Sequence, residues 1–301
     1  MLLCGLAHAE PLDLTTALQN TYRNCVSIDD ELHDLKVLAG VNTAVTAVGT
    51  GVGVGAVATG FAKERTDKEI AEMEKYLQEL NTMAQQQTDE PTRINVSDEQ
   101  IHALFADEDE EYQKTEQEIE KLTKKSKTLG NWRTGLMATN TATNIAGAVI
   151  ASKSKVNKDL QTQIDKCIDS IKELNTAILS AKMNGEDITE AKQIYDACRD
   201  YEFVDISPIN KRATGSMVAT SVGAVVGGIG TITSGVANSD GIRDDNSEAG
   251  KKKEKDLNTA SNVLAIGATA ASATATVFNA TQIVAIKKVA KVSEACTGVL
   301  K

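Results

Sequence analysis

The side chains best equipped for covalent chemistry in this chain are its cysteines: Cys4, then Cys25, Cys167, Cys198 and Cys296. None of the last four belongs to a C-x-x-C pair or a Cys/His cluster, so their spacing argues against a metal centre or a dithiol redox motif. An even set in an exported chain reads instead as two disulfides, with three possible connectivities. The expected pairing is Cys167–Cys198, closing a hairpin over 153–207, together with Cys25–Cys296, tying the two ends of the chain.

Other reactive residue types are sparse. His33 and His102 have no cysteine, serine or carboxylate at a spacing that builds a triad or a metal pair, and His33 reads as a helix-surface residue. The run Asp107 to Glu111, DEDEE, is a solvated helix face before it is a calcium site. Asp240, Asp244 and Asp245 do not follow the order of liganding positions in an EF-hand loop. The glycines at 49–55 and 223–230 are followed by no Gly-Lys-Ser/Thr, so they are not phosphate loops. The expectation is a protein that is not an enzyme, with no catalytic residue, cofactor or metal and no small-molecule substrate. A net charge of −10 also argues against a nucleic-acid partner, because neutralising phosphates needs a basic face.

The elements that position the cysteines are helical. The chain has 301 residues, only three prolines and long Lys/Glu/Gln stretches, which predicts an all-α fold. Aromatic residues are 3% of the total, so any core is built largely from Ala and Val. Four uncharged or nearly uncharged stretches stand out, near 38–61, 129–152, 213–238 and 258–286. Small residues recur in them every four positions. The first has Ala39, Thr43, Ala47, Gly51, Gly55 and Thr59; the second has Gly135, Thr139, Thr143, Gly147 and Ala151. The third has Gly215, Ala219, Gly223, Gly227, Thr231 and Gly235; the fourth has Gly267, Ala271, Ala275 and Asn279.

Residues four apart on a helix lie nearly in line, so each ladder predicts a bare stripe against which another helix can pack closely. A strand reading is suggested by GTGVGVG at Gly49 to Gly55, but strands rarely exceed ten residues and these segments exceed twenty.

The expected architecture is an antiparallel bundle of four long helices with Gly/Ala/Thr ladders and a projecting coiled-coil hairpin at 62–128. Ile70, Met73, Leu77 and Leu80 supply that hairpin's seam, and Pro91 breaks its first helix. Ser97 and Gln100 form a capping box that opens a helix running through the second quiet segment toward Leu174. Asn184-Gly185 marks a turn, a helix follows over about Thr189–Tyr201, and Ser207-Pro208 opens the next.

Up-down-up-down helices would gather the four cysteines at one end. Cys25 and Cys198 precede their ladders by 14 and 17 residues, and Cys167 and Cys296 follow theirs by 16 and 17. Tyr22-Arg23-Asn24-Cys25 and Tyr195-Asp196-Ala197-Cys198 share Y-x-x-C ahead of similar segments, as a duplicated hairpin would. Residues 10–182 then form a first helical hairpin carrying the 62–128 insertion, and 187–301 a second. Residues 1–9 read as a truncated signal-peptide remnant ending in Ala7-His8-Ala9, which predicts export to the periplasm or cell envelope.

Each quiet segment is long enough to cross a bilayer. Their hydrophobicity is weak, with Arg133, Asn140 and Asn144 inside the second, and Lys/Arg flank both ends, so no positive-inside bias appears. Trp132, the single tryptophan, stands at the entrance to the second segment, as an interfacial anchor or a cap on the bundle.

Two functions follow. One is a cell-envelope structural or interaction protein that binds a protein partner, or itself, through the 62–128 coiled coil. The other is a membrane-inserting multi-pass protein. The plan of weakly apolar segments beside coiled coils resembles bacterial secretion translocators at the level of composition, which implies the second.

Overall fold

The computed structural model describes residues 13–89, 98–243, 245 and 247–300, with side chains throughout except at 83–89 and 98–109. Among these residues every regular element is a helix and no strand occurs. The order is α1 (Leu14–Cys25), α2 (Ile28–Asp89), α3 (Asp98–Lys153), α4 (Lys158–Met183), α5 (Thr189–Cys198), a 3₁₀ turn (Arg199–Phe203), α6 (Ser207–Ala237), α7 (Asp240–Arg243) and α8 (Glu248–Leu300). The four quiet segments fall in α2, α3, α6 and α8. The expected signal remnant at 1–9, Pro91 and Ser97 lie outside the described residues.

Glycine inside a helix costs about 1 kcal/mol relative to alanine, so these helices depend on packing. Their hydroxyls add no unpaired groups. Thr43 donates to Ala39 O at 2.8 Å, Thr59 to Gly55 O at 2.7 Å and Thr231 to Gly227 O at 2.8 Å. Each threonine thus bonds within its own helix, one turn back.

The chain divides into two compact units, each drawing on both 10–182 and 187–301. Unit 1 comprises residues up to Ala47, Asn144–Ser221 and Ser272–Lys301; unit 2 comprises Val48–Thr143 and Val222–Ala271. Unit 1 has a conventional apolar core, in which Ile28, Leu32, Ile171, Leu174 and Ile286 are fully buried. In unit 2, among the described residues, the clustered apolar core is Ala56, Met137 and Ala265, with Val57 and Leu136 against it.

One expected continuous helix is two. The pattern running from the second quiet segment toward Leu174 is cut between Lys153 and Lys158. Polar side chains from elsewhere in unit 1 take over the backbone groups that the break releases. Gln282 Nε2 donates to Ser154 O at 2.7 Å, and Val156 N donates to Asn210 Oδ1 at 2.8 Å. Asn157 then caps α4, accepting from Leu160 N at 2.6 Å. At the other end of α4 the predicted Asn184-Gly185 turn is present, with Gly185 at φ 76°, a left-handed conformation that glycine adopts without strain.

Candidate functional site

The four cysteines form two disulfides in unit 1, but the pairing differs from the expected one. Cys25 is joined to Cys167, with Cα atoms 4.9 Å apart, and Cys198 to Cys296, with Cα atoms 4.4 Å apart. The reason is α1. It is a separate helix that lies along α4, so its last residue, Cys25, meets the middle of α4. Cys198 ends α5 and meets the last turns of α8. Each disulfide therefore fastens a short helix to a longer one. Beside them Tyr201 is fully buried, and burial pushes its phenol up to about 12; Asp29 adds to that rise and the Ser293 hydroxyl opposes it.

The quiet segments are built the other way round from this pole. The buried positions of α2 are Ile28, Leu32, Leu35, Ala39, Asn42 and Thr46 in unit 1, then Gly49, Gly53, Ala56, Gly60 and Lys63 in unit 2. Steps of three and four alternate, which is the 3.5-residue repeat of a coiled-coil seam. A strict four-residue step gains about 40° per step on a 3.6-residue turn, so the expected ladders wind off the packed face.

The predicted packing glycines separate accordingly. A Cβ on Gly147 would stand 3.0 Å from Thr220 Cγ2 and 3.2 Å from Thr46 Cγ2. One on Gly227 would stand 2.7 Å from Thr141 Oγ1, and one on Gly215 would stand 2.9 Å from the Phe278 ring. Gly223 is buried. Gly55 and Gly267 have lighter contacts, at 3.5 Å to Leu136 and 3.3 Å to Val226. Gly51, Gly135 and Gly235 face open space.

Other glycines fill the vacated roles. Gly49 is met by Thr143, Gly53 by Thr269, Gly60 by Asn262 and Gly130 by Asn238. What occupies these notches is the end of a polar side chain from another helix. They are sockets for hydrogen-bonding groups, not backbone-to-backbone seams.

Those polar groups form buried layers. In unit 1, Asn42 Nδ2 donates to Asn279 Oδ1 at 2.9 Å, and Asn279 Nδ2 donates to Thr46 Oγ1 at 3.3 Å. Ser272 Oγ donates to Asn144 Oδ1 at 3.0 Å. In unit 2, Arg133 is fully buried and is held by three neutral acceptors, Ser234 Oγ, Asn262 Oδ1 and Asn258 Oδ1, at 3.0, 3.1 and 2.8 Å. Lys63, 1% exposed, is held between Asp67 at 2.7 Å and Glu254 at 3.0 Å. Four side-chain oxygens in unit 1, Asn42 Oδ1, Gln282 Oε1, Tyr201 Oη and Ser293 Oγ, are buried with no hydrogen-bond partner among the described residues.

The outward faces are apolar. On α6 they are Val218, Val222, Val225, Ile229, Ile232 and Val236, with Ile232 70% exposed. On α3, Ile145 and Val149 are half exposed and Trp132 is 65% exposed; on α8, Val263 and Val277 are each 63% exposed. Three helical stretches, Leu14–Thr82, Ser207–Ala237 and Glu248–Leu300, are long and apolar enough to cross a membrane, and only 28% of each apolar window is buried. The second quiet segment, in α3, is not among them, because polar residues such as Asn140 and Asn144 lower its hydropathy; those two and Arg133 lie on its buried face.

Sequence reasoning counted those three residues as obstacles to insertion, placed Asn279 on a packing ladder and Lys63 among flanking charges, and did not single out Asn42, Gln282, Asn258 or Asn262. The signal that finds Asn42, Thr46 and Lys63 is their place on the 3.5-residue repeat that begins at Ile28. No protein-family model, curated protein or solved structure matches the chain.

Proposed function

We propose that this protein is an exported, non-catalytic membrane protein of the cell envelope. Its four quiet segments cross the bilayer as an antiparallel, up-down-up-down helical bundle with a polar interior. The observation that carries this reading is the inversion within those segments, valine and isoleucine outward and asparagine, serine and arginine inward. Water favours the reverse arrangement, because exposed apolar area costs about 25 cal/mol per Å². Hydrocarbon favours this one. The six outward residues of α6 contribute about −2 to −4 kcal/mol on an insertion scale. Each interhelical polar pair adds about 0.6 to 2 kcal/mol, because the alternative is an unsatisfied group in lipid. Arg133 would oppose insertion of a lone helix by about 3 kcal/mol, and its three buried acceptors relieve that penalty.

Four crossings sort the rest of the chain into two compartments. Cys25, Cys167, Cys198 and Cys296 fall on one side, which their disulfides make the oxidising side. Residues 62–128 and 239–250 fall on the other. There α2 and α3 form the coiled-coil hairpin, supported by the bond from Tyr76 Oη to Glu111 Oε1 at 2.9 Å and by the half-buried Ile70, Met73, Leu77 and Leu80 of α2. The hairpin is the surface offered to a protein partner or to a second copy.

Alkaline carbonate extraction of membranes from cells making the full chain tests this reading. Retention in the pellet is expected. Release to the supernatant refutes insertion and supports a soluble envelope protein that acts through the hairpin alone.

A further inference from the structure

Unit 1 carries a groove of about 430 Å³ between the segment leading into α6 and residues 285–292 of α8. Its floor is Ala285, Val289 and Val292, the first two almost fully buried, and its wall is Val204 and Pro208. Phe203 stands at its rim, 83% exposed, the most exposed large apolar side chain among the described residues. We propose that this groove holds an anionic phospholipid, its phosphate between Arg212 and Lys288 and its upper acyl chain along the apolar floor. The proposal rests on the membrane-inserted reading and names the lipid class that reading leaves open.

Three observations point to that occupant. The first is level. The third quiet segment begins at Ala213 and the fourth ends at Ile286, so residues 203–212 and 285–292 are where the chain leaves the hydrocarbon. Aromatic and cationic side chains are enriched at that depth.

The second is charge: Arg212 and Lys288 line the groove, and among the described residues neither of them, nor Lys287 or Lys291, forms a salt bridge. Arg212 Nη1 donates to Thr281 O at 2.6 Å, which fixes the guanidinium and leaves its other N–H groups free for a phosphate. Asp200 and Asp205 also line the groove and remain charged, but each has its bonding partner away from the Arg212 and Lys288 pair: Asp205 accepts from Ser207 N at 2.8 Å, and Asp200 lies 3.9 Å from Arg199 Nε.

The third is continuity. Val284 of α8 and Val218 of α6, 53% and 54% exposed, extend the apolar surface from the groove along the two spans. A molecule with an anionic head and an apolar tail matches that sequence of surfaces. A soluble anion would leave Phe203 and the floor in contact with water.

The test uses the full chain in vesicles, with Phe203→Trp in a Trp132→Phe background as the only fluorescent reporter. Brominated phosphatidylglycerol is expected to quench this tryptophan more strongly than brominated phosphatidylcholine at equal mole fraction. Arg212→Gln with Lys288→Gln should remove the preference, at roughly fivefold per cation, while quenching by both lipids and carbonate resistance persist. Equal quenching by the two lipids in the unsubstituted groove, or a preference that survives the double substitution, overturns the proposal. So does loss of the preference on adding millimolar glycerol phosphate, which would make the site one for a soluble phosphate ester. Membrane retention with no lipid preference refutes the groove alone; release by carbonate refutes the groove and the membrane reading together.

Discussion

Along α2, residues 28–39 bury Ile28, Leu32, Leu35 and Ala39 and expose Asp30, His33 and Asp34, whereas the next turns bury Asn42 and Thr46 and expose Val41 and Val48. α8 makes the same change in the opposite direction. It buries Asn279 and Gln282 beneath exposed Val277 and Val284, then buries Ile286, Val289 and Cys296 beneath exposed Lys287, Lys288 and Lys291. The stripe of buried positions keeps its 3.5-residue step through both changes. Helix geometry therefore decides which residues face inward, and the surrounding solvent decides what chemistry those positions carry. An apolar core under a charged surface is the aqueous solution; on the membrane reading proposed above, the polar-cored stretch is its counterpart in lipid.

The largest effects should come from breaking the apolar-cored half, where disulfides and apolar burial act together. Cys25→Ser with Cys167→Ser removes a cross-link spanning 142 residues of chain. Loss of a native disulfide of that kind costs about 2–5 kcal/mol. Thermal unfolding of the oxidised double variant should show that loss, and nonreducing peptide mapping should still link Cys198 to Cys296. In the unsubstituted protein, a recovered peptide joining Cys167 to Cys198 would instead restore the pairing expected from sequence spacing.

Next in size is a substitution inside the polar-cored half. Gly147→Leu places a Cβ 3.0 Å from Thr220 and its remaining carbons against Thr46 and Asn42, and overpacking of that kind costs about 1–3 kcal/mol. Gly51→Leu, into open space, should be neutral or should gain up to about 1 kcal/mol of helix propensity. Equal losses at the two sites would mean that the 3.5-residue face is wrongly placed.

Much of this was legible in the residues and some was not. All-helical structure followed from length without turn signals, and the Asn184-Gly185 turn from residue type. The cysteines were identified as a disulfide set, but their partners depended on α1 lying along α4, a tertiary fact with no counterpart in spacing. The four-residue ladders misled because glycine is common throughout the quiet segments, so a regular set can be found at a false period. Gly235 and Gly51 joined the ladder and face open space; Gly49, Gly60 and Gly130 did not join it and receive polar side chains. Asparagines inside apolar runs were the better guide to the packed face. A polar group there needs a partner, and only the inward positions supply one.

A smaller effect should separate pairing from mere polarity in the core. Asn279→Leu removes the acceptor of Asn42 Nδ2 and the donor to Thr46 Oγ1, leaving a buried amide unsatisfied at about 1–3 kcal/mol. Asn42→Leu combined with Asn279→Leu should recover part of that loss, because replacing both partners with apolar groups is close to neutral. A double variant worse than either single one by the full sum would show that the two side chains act independently, and that the layer is not a hydrogen-bonded unit.

The smallest effect concerns pH, and it is read at the starts of α5 and α6. The carboxyl of Asp187 is held below the usual range by the backbone N–H and then the hydroxyl of Thr189, and that of Asp205 by the hydroxyl and then the backbone N–H of Ser207. A carboxylate with a depressed folded-state pKa contributes stability above its unfolded value near 4, and that stability is lost as pH falls through the lower folded value. Between pH 7 and about 5 the starts of α5 and α6 should therefore be unaffected, and they should fray only below about pH 4. Amide hydrogen exchange at Thr189 and Ser207, referred to the mid-helix amides of α4, should show protection falling over that acid range. Fraying that begins near pH 6 would mean that a group other than Asp187 and Asp205 controls these caps.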